Sequence, residues 1–88
     1  MRKMNLLNIN KASYIVYCAE CNYEVIKEEE SGKIVVVIES NKDTRALSEA
    51  YNMARKGQVF LDVEDIIEFL AIQEDIRNKV ADARRRNR

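Results

Sequence analysis

The sequence predicts an α+β domain: a small antiparallel sheet with elements in the order α-β-β-α-β-α, ending in a long C-terminal helix. Three observations carry this reading. The β-branched run Ile34-Val35-Val36-Val37-Ile38 follows a Ser31-Gly32 turn, as the second arm of a hairpin would. Segments with apolar residues at helical spacing lie on both sides of that hairpin. The stretch Ile66-Ile67-Glu68-Phe69-Leu70-Ala71-Ile72 is apolar on nearly every side of what must be a helix. With 88 residues, no proline, two glycines and no internal repeat or linker, residues 1 to 88 form a single domain.

After a short N-terminal lead, residues 11 to 21 place Ala12, Ile15, Val16 and Ala19 at helical spacing. Asn8 or Asn10 is available as N-cap and Asn22 as a left-handed stop. Tyr14-Ile15-Val16-Tyr17-Cys18 also suits a strand in composition, but the spacing and the stop favour a helix. The hairpin then occupies residues 23 to 29 and 33 to 39. Its first arm mixes Tyr23, Val25 and Ile26 with Glu24, Lys27 and Glu28, as a strand with one wet face does, whereas the unbroken second arm belongs at the centre of the sheet. Ser40 is the expected cap of the second helix, with Asp43 completing a capping box, and Gly57 ends it. Leu47, Ala50, Tyr51 and Ala54 form its buried stripe, and Arg55 and Lys56 complement the dipole in its last turn. Residues 58 to 61 read as a short third strand, and Asp62 as the cap of the last helix.

That last helix carries two stripes. Val63, Ile66, Ile67 and Leu70 make one, expected to face the domain. Phe69, Ile72, Ile76, Val80 and Ala83 make the other at spacings of three and four, expected to join two copies. A chain this short buries only about 60 to 65% of its unfolded surface, so association would add burial that a monomer lacks. The expected assembly is a homodimer or higher symmetric oligomer with Phe69, Ile72, Ile76 and Val80 at its interface.

Composition excludes several classes. Hydrophobic residues at 47% and charged residues at 34% describe a folded domain. Fifteen basic and fifteen acidic residues cancel, so no global field recruits nucleic acid or an acidic membrane. The local distribution is uneven: residues 20 to 30 hold five glutamates against Lys27, and residues 76 to 88 hold six basic residues against Asp82. No apolar run reaches the length of a membrane span, and the N-terminus lacks the apolar region of a signal peptide, so the expected location is the cytoplasm, with both cysteines reduced.

Candidate chemistry is sparse. On a helix Cys18 and Cys21 would share one face, a spacing that suits metal chelation or a redox pair. A structural zinc site needs four ligands, however, and this chain has no histidine and no further cysteine. Buried, reduced, metal-free packing is the expectation for both. There is no histidine base, glycine-rich phosphate loop or nucleophile elbow, so the chain reads as a non-enzyme without cofactor or metal. Glu28-Glu29-Glu30 reads as a solvated hairpin tip. Arg84, Arg85, Arg86 and Arg88 are candidate phosphate contacts, but arginines at a helix C-terminus also complement its dipole, and nothing aromatic is interleaved with them.

From Tyr14 onward the order of features resembles a small domain of unknown function that recurs in phages and integrated mobile elements of Gram-positive bacteria. The resemblance lies in a helix ending near a Gly-Phe pair, here Asn22-Tyr23, a hairpin with an apolar second arm, a helix with Leu47 and Tyr51 before Gly57, and a last helix with Leu70 and Ile76-Arg77 in place of a Leu-Arg pair. Asn can replace the first Gly because it too enters the left-handed region. The resemblance implies no catalytic residues. It implies a phage or prophage accessory protein that binds without catalysis, inhibiting a host process such as an antiviral defence by occupying a protein surface or sequestering a small signal. The alternative is a nucleic-acid-associated accessory protein that uses the arginine cluster.

Overall fold

The computed structural model describes residues 2 to 57 and 65 to 85. Its elements are β1 (Lys3–Leu6), α1 (Ile9–Ala19), β2 (Tyr23–Lys27), β3 (Ile34–Glu39), α2 (Lys42–Arg55) and α3 (Ile66–Arg85). The sheet is antiparallel with strand order β1-β3-β2, so the β-branched run is central, as its composition predicts. The α+β class and the long last helix are as the sequence predicts. The expected strand at 58 to 61, the Asp62 cap and Val63 lie outside the described residues.

The N-terminal lead is itself a strand. Met4 and Leu6 turn to the core while Lys3 and Asn5 turn away, and the pairs Met4↔Ile38 and Leu6↔Val36 set the register. On the core face Leu6, Val36 and Ile38 meet Ala12, Ile15 and Val16 of α1 and Ile76 and Val80 of α3 in one cluster. On the opposite face Lys3 reaches across β3 to Glu24, with Nζ to Oε1 at 3.3 Å, flanking the buried Val37.

Local chemistry sets the boundaries. Asn8 caps α1 by accepting from the Lys11 N–H at 3.1 Å. Ser13, fully buried, donates to the Ile9 carbonyl at 2.7 Å, which removes the penalty for burying a hydroxyl. The helix stops at Glu20, which takes the left-handed conformation (φ 52°) expected of Asn22. The cap of α2 is Asn41, one residue after the expected Ser40. Its side chain accepts from the Thr44 N–H, and the Thr44 hydroxyl accepts from the Asn41 N–H, each at 2.9 Å, in a reciprocal box that excludes Asp43. Gly32 in the hairpin turn has φ 69°, a region an L side chain enters only with strain.

α2 packs chiefly against α1, and the Tyr51 ring meets Tyr14 at 6.2 Å between centroids. Its stripe of Leu47, Ala50, Tyr51 and Ala54 is consequently half-buried, with Thr44 its one fully buried residue.

Candidate functional site

The orientation of α3 is the reverse of the expected one. Ile76 is 0% and Val80 7% exposed, and Phe69 and Ile72 pack against the same cluster, so the stripe assigned to a contact between copies is the domain's own core. The stripe expected to face the domain carries instead Ile66, Ile67 and Leu70 at 54%, 78% and 50% exposed. Three polar contacts fix this phase. Tyr17 accepts from the Asp65 N–H at 2.9 Å, Gln73 donates to Asn10, and Tyr23 donates to Asp75, whose other neighbour is Lys79 at 3.0 Å. Lys79 also sits 4.6 Å from the Tyr23 ring centroid, and Tyr17 meets the Phe69 ring edge-on at 5.9 Å. Asp65 caps the helix, its Oδ1 accepting from the Glu68 N–H at 3.0 Å.

The exposed face is therefore a patch of three large aliphatic side chains on the first turns of α3. Asp65 precedes Ile66 at the helix start, and Glu74 follows Leu70 by four residues and Ile67 by seven, on the same face, whereas Asp75 is turned to Tyr23 and Lys79. The patch is apolar with an acidic side chain at each end.

Cys18 and Cys21 do not share a helical face. α1 ends between them, leaving Cys18 exposed and Cys21 half-buried, both as free thiols, which corrects the expectation that both are buried. Cys21 borders a cavity of about 630 Å³ together with Glu20, Glu24, Glu39 and Asp43. Burial pushes its thiol above the ordinary range, the nearby Glu39 carboxylate adds to this, and a backbone hydrogen bond opposes it. Among the described residues no group of three or more potential ligands could hold a metal ion. Iodoacetamide at mildly alkaline pH should therefore modify Cys18 first, because the thiolate is the nucleophile and Cys21 is both shielded and harder to ionise. Intact-mass measurement with peptide mapping should find the first adduct on Cys18; a first adduct on Cys21 would contradict these placements.

Of the arginine cluster, Arg85 pairs with Asp82 one turn back along α3, and Arg86 and Arg88 lie outside the described residues. Arg84 is brought to the hairpin, where it lines a second cavity with Lys27 and Lys33. The sequence places Lys27 and Lys33 on either side of one hairpin turn but holds no sign that Arg84 joins them, since it is remote in the chain. Among the described residues no helix is long and apolar enough to cross a membrane.

Comparison with protein-family models, with curated proteins and with solved structures finds no match.

Proposed function

We propose that this chain is a non-enzymatic binding protein that acts by occupying the surface of another protein through the exposed face of α3. The observation that supports the reading is the clustering of Ile66, Ile67 and Leu70, at least half exposed, on a helix whose other face is locked into the core. Full burial of such a side chain from water contributes about 1.5 to 3 kcal/mol, and covering the half to three-quarters still exposed recovers a proportionate share; a clustered apolar patch is the anatomy of a contact surface. Asp65 and Glu74 at its ends favour a partner surface that is apolar at its centre and carries basic groups beside it. The resemblance noted in the sequence supplies the setting: a phage or prophage accessory protein blocking a host component, an antiviral defence among the candidates.

An amphipathic helical peptide with leucines on one face and lysines on the other is a direct probe, measured by calorimetry against the full chain. Ile67→Ser with Leu70→Ser should weaken its binding at least tenfold, and Glu74→Gln should weaken it and flatten its salt dependence. Binding unchanged in both variants would overturn the reading.

Self-pairing through the same face is the second reading, favoured because a small domain gains burial from a second copy. A light-scattering mass of two chains that falls to one in Leu70→Ser would select it.

A further inference from the structure

We infer that the cavity between the β2–β3 hairpin, the start of α1 and the last turns of α3 is a binding site for a small amphipathic organic anion, one with an acidic head and an apolar body. The cavity has a volume of about 420 Å³, within the range of small-molecule sites. Its cations are Lys27 and Lys33, which flank the hairpin turn, and Arg84 of α3, and no carboxylate lines it. Among the described residues, none of the three side chains forms an ion pair or hydrogen bond; the ion pairs present use Lys3, Lys79 and Arg85. The glutamates of the hairpin tip, Glu28, Glu29 and Glu30, do not border it.

The remaining wall consists mainly of Leu7, Ile9, Ile34, Val36 and Val80. Val36 and Val80 are buried members of the core, so the floor is held by the domain's own packing. Leu7 is 60% exposed and stands at the rim. The α1 N-terminus lies between Leu7 and Ile9, with no acidic residue in its first turn, so its dipole adds to the positive potential. Gly32 borders the cavity beside Lys27.

The ligand class follows from the sorting of these groups. Three uncommitted cations recognise a carboxylate, sulfonate or phosphate. The aliphatic walls supply no side-chain hydrogen-bond donor or acceptor, so they recognise shape and apolarity and cannot read the polar edge of a nucleobase. A nucleic-acid backbone would use the cations and leave Leu7, Ile9 and Ile34 without a role. The site is separate from the α3 face, and neither depends on the other.

Fluorescence titration of the full chain with 8-anilinonaphthalene-1-sulfonate, an aryl sulfonate, tests the assignment, with decanoate as competitor. We expect saturable binding of one probe per chain, displaced by decanoate. It should weaken about tenfold or more in Lys27→Gln/Lys33→Gln/Arg84→Gln, through loss of charge-assisted contacts, and also in Leu7→Ser, but not in Leu70→Ser. All these positions are exposed, so the fold should tolerate the changes. Equal binding by the triple variant, or loss of binding in Leu70→Ser alone, would overturn the inference by placing the probe elsewhere. So would retention of a short DNA duplex or of phosphatidylglycerol vesicles by the same three cations in a protein that fails to bind the sulfonate.

Discussion

Ile76→Asp should leave the chain unfolded at 25 °C, and Ile76→Ala should lower its stability by about 2 to 5 kcal/mol. Ile76 is 0% exposed where α3 meets both α1 and the sheet. Truncation removes transfer energy and opens a cavity that a small, well-packed cluster closes only in part. A carboxylate there would have no partner, a cost that a domain of this size cannot absorb. The same chemistry nine residues earlier should do little: Ile67→Ser, at a side chain 78% exposed, should stay within about 0.5 kcal/mol of the unmodified protein. Urea denaturation followed by circular dichroism separates the two. If Ile76→Ala kept the original midpoint while Ile67→Ser lost stability, the orientation of α3 described above would be wrong.

Thr44→Val should cost about 1 to 3 kcal/mol even though it preserves shape and volume. Thr44 is fully buried, and its hydroxyl serves two strands of the same junction, accepting from the Asn41 N–H at 2.9 Å and donating to the Glu39 carbonyl at 2.8 Å. It thereby ties the end of β3 to the start of α2. Valine fills the space and supplies neither contact, so the part-buried Asn41 N–H and Glu39 carbonyl lose their partner together. Thr44→Ser keeps both bonds and loses one methyl group, and should recover most of the stability. Equal midpoints for Thr44→Val and the unmodified protein in urea would show that the junction contributes nothing.

The hairpin and its central strand were legible because their signals are local. A β-branched run after Ser31-Gly32 suits only a covered strand, and Gly32 is at the positive φ the turn needs. The α1 cap was legible to within two candidates, Asn8 and Asn10, and the structure uses Asn8. Short-range competition decided the less legible boundaries. Ser40 and Asn41 both have capping side chains, and the box forms at Asn41 because Thr44 lies three residues on and can answer it. β1 was hidden by its length of four residues: the alternation of Lys3, Met4, Asn5 and Leu6 has too few members to stand out from an unstructured lead, and it is stable only because β3 offers an edge.

The sequence by itself determined the α+β class, the central place of the Ile34-Val35-Val36-Val37-Ile38 run and the presence of a long final helix apolar on more than one side. The tertiary structure alone decided which side is inside. Periodicity places Ile66, Ile67 and Leu70 on one stripe and Phe69, Ile72, Ile76 and Val80 on another, and assigns neither to the core, because both satisfy the same spacing. The rotation of α3 is fixed by groups remote in sequence: Tyr17, Asn10 and Tyr23 engage Asp65, Gln73 and Asp75, and the cluster around Ile15, Val36 and Ile38 receives Ile76 and Val80. The same docking carries Arg84 to Lys27 and Lys33. Burial and charge convergence are properties of chain segments meeting in space, and no local pattern encodes where a distant segment will lie.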